Sequence, residues 1–172
     1  MRTTLRWTVI AAGAALAFGA SPTMAMQDTR IAMAAPEPPV VERADELRAE
    51  AEALFPQPKR WSKAMRLLEE SASLRAASDP AAYDCLVLAG RLAYALGDNS
   101  GALQNLRKAA EHALARGAVM DAANAYIDGA HVAKAARNAG LAEELVERAQ
   151  LLTMSPLLSD RDRAVIDHRL RA

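Results

Sequence analysis

Residues 86–109 read LVLAGRLAYALGDNSGALQNLRKA, and residues 126–149 read YIDGAHVAKAARNAGLAEELVERA. Adding 40 to the numbers of Ala89-Gly90, Ala93, Ala102, Leu106 and Ala109 gives Gly129-Ala130, Ala133, Ala142, Val146 and Ala149. Small residues fall on small ones, and the large aliphatic falls on an aliphatic. Only the turn position changes character, Gly97 becoming Arg137. Part of the pattern occurs once more upstream, where Ala64, Leu68 and Ser71 precede Ala102, Leu106 and Ala109 by 38 residues. Recurrence at this distance marks stacked supersecondary units, none of which can bury its apolar face alone. Small residues at fixed places let neighbouring helices approach closely.

Working outward, the rest of the chain from Val40 has a helical period. Val40, Ala44, Leu47, Ala51, Leu54 and Phe55 share one face, and Pro56 and Pro58 end that helix. Trp61, Ala64, Met65, Leu68, Ala72 and Leu74 form the next stripe, with Trp61 expected in the core. Asp79-Pro80 is a helix start, Asp as N-cap and Pro at the first helical position. Ala82, Leu86, Ala89, Ala93 and Leu96 follow it. Gly97-Asp98-Asn99 turns the chain into Ala102, Leu106, Ala109 and Ala113, and Gly117 ends that helix. Tyr126, Ala130, Ala133 and Ala136 carry the fifth stripe. Ala142, Leu145, Val146, Ala149 and Leu152 carry the sixth, and Ser155-Pro156 stops it. Ser159 and Asp162 make a capping-box variant before a last helix with Val165, Ile166 and Leu170. Composition agrees: 52% of residues are hydrophobic but only 4% aromatic, because alanine supplies the difference. Alanine is the best helix former, whereas a β-sandwich wants Val, Ile, Thr and aromatics.

This spacing resembles the tetratricopeptide repeat. Gly90 and Ala130 look like its small residue in the first helix, Ala102 and Ala142 like that of the second, and Ala109 and Ala149 like the last. Leu106 and Val146 stand where the family has a large apolar residue, and Leu86 and Tyr126 where it often has Trp. The likeness covers about residues 44–155. Ala93 and Ala133 replace the family's Tyr, the repeat-ending Pro is absent at Leu114 and Met154, and the period is nearer 40 than 34. The fold the resemblance implies is all-α: three antiparallel helix hairpins stacked as a short right-handed solenoid, with a C-terminal capping helix, over residues 40–172.

Residues 1–25 have the three-part layout of a secretory signal. Arg2 and Arg6 make a basic start. Trp7 to Ala20 is an apolar run broken only by Thr8, then Ser21-Pro22 breaks the helix. Thr23 and Ala25 are the small residues at positions −3 and −1 of a cut after Ala25. A spanning helix needs about 20 apolar residues, so the alternative, a retained anchor, is the weaker reading. Cleavage leaves 19 basic against 21 acidic residues, a balance that gives no broad footprint for nucleic acid. Residues 26–39, ending Pro36-Glu37-Pro38-Pro39, read as an extended or disordered lead-in. The expected location is the periplasm or the outside of a bacterial cell.

No catalytic, cofactor or metal constellation emerges. Cys85 stands alone, without an activating neighbour, and reads as a small buried hydrophobe. His112, His131 and His168 offer no pair four apart for a metal. Asp128 lies three residues before His131 and is a candidate to orient its ring. Glu143, Glu144 and Glu147 form an acidic cluster, but Arg148 sits where a surface ion pair forms. The loop from Gly97 to Gly101 lacks the Gly-Lys-Ser/Thr ending of a phosphate cradle.

What remains is a surface. By the resemblance, the first helices line the concave face. Asp84, Val87, Arg91 and Tyr94 form one stripe there, and Asn124, Ile127, His131 and Lys134 repeat its steps 40 residues later, with Glu46 and Ala49 from the first unit. These eight residues are the expected groove for a peptide or helix of another exported or envelope protein. Self-association is a live alternative to capping by the final helix, Asp160 to Arg171. The alternative to the groove is a small-ligand or enzyme-like pocket between helices lined by Tyr94, Asp128 and His131.

Overall fold

The computed structural model describes residues 38–171. The expected signal segment, residues 1–25, and the lead-in as far as residue 37 lie outside them. Among the described residues the chain is entirely helical: α1 (Pro38–Ala53), α2 (Trp61–Ser73), α3 (Pro80–Ala95), α4 (Asn99–Ala115), α5 (Val119–Ala135), α6 (Ala139–Thr153) and α7 (Asp160–Arg171). A short 3-10 turn, Pro58–Arg60, precedes α2. The helical domain starts two residues earlier than its period indicated. Pro38 and Pro39 sit in the first turn of α1, where a missing N–H costs nothing.

Each helix from α1 to α6 packs on the next, and α7 packs on both α5 and α6. The connections explain this regularity. After α3, α4 and α5 the chain makes the same turn three times, at Gly97 (φ 83°), Gly117 (φ 74°) and Arg137 (φ 58°). In each, two backbone bonds close the helix end: Gly97 N–H to Tyr94 O at 3.0 Å and Asp98 N–H to Ala93 O at 2.9 Å, with equivalent pairs around Gly117 and Arg137. This is the Schellman arrangement, which requires a left-handed residue at its centre. The next residue already caps the following helix. Asp98 accepts from Gly101 N–H at 2.8 Å and Asn138 from Leu141 N–H at 3.1 Å, whereas Ala118 offers no side-chain cap. The difference at Gly97 and Arg137 is therefore one of residue type alone; both adopt the same backbone.

The helix starts read from Asp79 and from Ser159 with Asp162 are present. Asp79 accepts from Ala81 N–H at 2.8 Å, and Ser159 and Asp162 exchange bonds with each other's backbone N–H at 3.1 and 3.2 Å. Burial opposes ionisation of Asp79, but the Ala81 N–H and the Arg75 guanidinium outweigh it and hold the carboxyl below its ordinary range.

The core is built mostly of alanine. Ala44, Ala64, Ala89, Ala93, Ala102, Ala109, Ala113 and Ala133 are fully buried. Larger side chains, Leu47, Leu68, Ile127 and Ile166, fill what remains between the thin helices. Gly90 lies at a close approach of α3 and α4: a Cβ there would stand 3.0 Å from Leu106 Cγ and 3.3 Å from the Ala102 carbonyl oxygen. Cys85 is buried and free, as expected, with Ser71 Oγ 3.6 Å from its sulfur. Ser71 also donates to Ala44 O at 2.7 Å, tying α2 to α1. Trp61 corrects its expectation. It is only half-buried, and its indole N–H donates to Phe55 O at 2.9 Å, clasping the α1–α2 connection rather than filling the core. No helix among the described residues is long and apolar enough to cross a membrane.

Candidate functional site

Side-chain bonds join alternate helices. Arg48 on α1 reaches Asp84 on α3 at 3.8 Å. Arg91 on α3 reaches Asp128 on α5 at 3.3 Å, and Arg169 on α7 reaches the other oxygen of Asp128 at 2.6 Å. Arg169 also donates to Asn124. Tyr83 on α3 donates to Asp121 O on α5 at 3.1 Å, beneath the guanidinium of Arg116, which pairs with the Asp121 carboxylate. Burial, with Asp121 and Asp128 nearby, pushes the Tyr83 hydroxyl up to about 12. On the other side of the stack, Asn105 on α4 donates to Glu69 on α2 at 2.7 Å. The odd-numbered helices thus share one polar surface, threaded by alternating charges from α1 to α7.

Two recesses open on that surface. One, about 350 Å³, lies between α1 and α3, lined by Arg48, Tyr83, Asp84, Val87, Leu88 and Arg91. The other, about 230 Å³, lies between α3, α4 and α5. Its floor is buried Gly90, Leu106 and Val132, and its rim is Arg91, Tyr94, Asp128 and His131. Leu106 and Val132 belong to a small buried apolar cluster with Ala93 and Ala102.

No protein-family model, curated protein or solved structure matches the chain.

Asp84, Arg91, Tyr94, His131 and Lys134 are exposed, as a groove requires. Arg91, Tyr94 and His131 converge on the smaller recess; Lys134 instead borders a hollow against α6, beside Ala139 and Val146. Two expected groove residues are corrected. Val87 (8% exposed) and Ile127 (2% exposed) belong to the main core. The reason is geometric: α5 is packed by α4, α6 and α7, so its open arc is narrow, and α7 bonds to it at Asn124, one turn from Ile127. Asn124 is itself half-buried and taken by Arg169. Val87 is the floor of the α1–α3 recess rather than a contact on its lip. Glu46 and Ala49 are exposed, and Glu46 pairs with Arg43 at 3.1 Å.

The pairing of Asp128 with His131 is also replaced. Both oxygens of Asp128 serve arginines, so it does not orient the imidazole. Sequence reading passed over Arg48, Tyr83 and Arg169. Their partners lie 36 to 45 residues away, beyond any local spacing rule. Among the described residues, no group of three or more His, Cys, Asp or Glu side chains is placed to hold a metal ion.

Proposed function

We propose that this chain is an exported, tetratricopeptide-like interaction module of the bacterial envelope, which binds another exported protein or peptide on the surface of its odd-numbered helices. The observation that carries the reading is the recess between α3, α4 and α5, where a buried apolar floor meets an exposed rim of Arg91, Tyr94 and His131. Tyr94, at 48% exposed, offers a large flat contact with few torsions to freeze. The helix order, the bonds between alternate helices and the burial of Gly90, Ala102, Ala130 and Ala142 support a solenoid of hairpins closed by α7.

The test is capture. Arg91→Ala combined with Tyr94→Ala is expected to abolish recovery of the partner from a periplasmic extract while leaving helicity and melting temperature almost unchanged. Undiminished capture by the folded double variant refutes the surface. Export is tested separately: protein recovered from cells should begin at Met26, and chains retaining residues 1–25 in the membrane fraction would replace the secretory reading with an anchored one.

The small-ligand alternative has one observation in its favour, since Tyr94, Asp128 and His131 do line a single recess. Its volume of about 230 Å³ falls below the ~300–1,000 Å³ usual for small-molecule pockets. Asp128, held by two cations, is poorly placed to accept a substrate proton.

A further inference from the structure

Resting on that reading, we infer that the recess beside Arg91 recognises an acidic residue adjoining an apolar one in the partner peptide, and that Arg91 exchanges its bond to Asp128 for the partner's carboxylate.

The inference begins with an imbalance of charge. Asp128 is one carboxylate serving two guanidinium groups. Arg169 holds it at 2.6 Å. Arg91 stands at 3.3 Å, longer than the ~2.7–2.9 Å of a firm charge-assisted bond. The Arg91 side chain is 65% exposed, and that of Asp128 only 20%. If Arg91 swings away, Asp128 keeps Arg169, so no poorly solvated carboxylate is left alone. Orphaning such a charge is what ordinarily makes breaking an ion pair costly. Here the pair opens without that cost, and the cation released stands on the rim of the recess.

The floor specifies the second half of the ligand. Gly90, Leu106 and Val132 present apolar surface with no polar side chain among them, and the recess has room for an aliphatic side chain, not for a large cofactor. A peptide whose apolar side chain drops onto Leu106 and Val132 brings its neighbouring residue to the rim. An acidic neighbour meets Arg91 there; a basic one meets a guanidinium whose counter-charge, Asp128, is already shared with Arg169. Tyr94, one turn beyond Arg91 on α3, flanks the same opening.

The test uses the chain purified from cells, labelled with nitrogen-15 and titrated with acetyl-Asp-Leu-amide, acetyl-Asn-Leu-amide and acetyl-Lys-Leu-amide. The backbone signals of Gly90, Leu106 and Val132 should shift with the first peptide, which should bind about 10-fold more tightly than the second, the third being weakest. Arg91→Gln should erase the preference for Asp over Asn, and Arg91→Lys should restore part of it. The discriminating variant is Arg169→Gln. Arg169 does not line the recess, but without it Arg91 becomes the sole partner of Asp128 and is pinned there. Affinity for the acidic peptide should then fall about three- to ten-fold, with the melting temperature recorded to confirm folding. Unchanged or improved affinity in Arg169→Gln overturns the exchange. Equal binding of the Asp and Asn peptides, or no shift at the three floor residues at 10 mM peptide, overturns the acidic specificity. If either failure occurs while the Arg91→Ala, Tyr94→Ala double variant still loses its partner, the interaction surface stands and only this ligand chemistry is wrong.

Discussion

Replacing Arg137 with glycine should stabilise the protein, and replacing Gly97 or Gly117 with alanine should do the reverse. The three positions share one left-handed backbone, at φ 58°, 83° and 74°. An L-residue held there pays roughly 1–2 kcal/mol for the contact between its Cβ and the neighbouring carbonyl. Glycine avoids that strain but loses about 0.5–1 kcal/mol more chain entropy on folding. The difference favours glycine by about 0.5–1 kcal/mol at each site. Side-chain contacts hardly enter. A Cβ at Gly97 or Gly117 meets nothing within 4 Å, and the exposed Arg137 side chain makes no hydrogen bond or ion pair within the described residues. For a domain of this size the gain corresponds to about 2–5 °C in melting temperature. The assay is thermal unfolding followed by circular dichroism at 222 nm, on Arg137→Gly, Gly97→Ala, Gly117→Ala and the Gly97→Ala, Gly117→Ala pair. The two alanine sites lie 20 residues apart at opposite ends of α4, so their losses should add. If Arg137→Gly melts no higher than the parent, or Gly97→Ala melts no lower, the strain assigned to these turns is not there.

Ala118 occupies the N-cap of α5 without a side chain able to cap; Ala118→Ser should raise stability by about 0.5–1 kcal/mol in urea unfolding, and no gain would mean the first turn of α5 is already satisfied otherwise. Ala102 is fully buried and Ala142 nearly so, so Ala102→Leu and Ala142→Leu should each cost roughly 1–3 kcal/mol by overpacking, and unchanged melting curves would show that neighbouring helices give way freely. Because the folded Tyr83 hydroxyl ionises only near 12 and an unfolded one near its ordinary value of about 10, stability is complete below that ordinary value and declines as pH rises through the interval. Wild type should therefore lead Tyr83→Phe by about 1 kcal/mol at pH 8, through the bond to Asp121 O, and lose most of that lead by pH 11; a lead independent of pH in urea titrations would contradict the burial of this hydroxyl.

Much of the helical architecture was legible because its determinants are local. Asp79-Pro80 and Ser159 with Asp162 announce helix starts through bonds spanning two or three residues, and the alanine stripes report burial through the helical period alone. Small residues were informative too: Gly90, Ala102, Ala130 and Ala142 all lie at buried contacts. The site was less legible. A stripe such as Asn124, Ile127, His131 and Lys134 shares a helix side, but one sequence does not say how wide an arc the neighbouring helices leave open. The docking of α7 decides that, through Arg169, which lies 45 residues from Asn124 and 41 from Asp128. Asp128 looked like a partner for His131 because they are three apart, yet the guanidinium groups brought to it by tertiary packing outcompete the imidazole. Arg137 shows the limit from the other side. Its turn is set by backbone bonds that any residue can make at a price in strain, so residue type alone did not mark it as the equal of Gly97.

The turn that recurs every 20 residues also governs how the molecule comes apart. Since helices pack mainly on their neighbours in sequence, most contacts are short-range along the chain, which favours rapid folding. The interior helices α3, α4 and α5 each have a helix packed on either side along the chain, whereas α1 is held by α2, with Ser71 bonded to its backbone and Lys63 to Glu50, and beyond α2 chiefly by the pairs of Asp45 with Arg75 and Arg48 with Asp84. Opening is therefore expected to begin at the ends of the stack, α1 and α7, and amide protons in α1 should exchange with solvent before those of α4. A partner that bridges α1 and α3 would slow that exchange even if it altered no bond in the resting fold, so protection at α1 becomes a direct readout of occupancy on the surface shared by the odd-numbered helices.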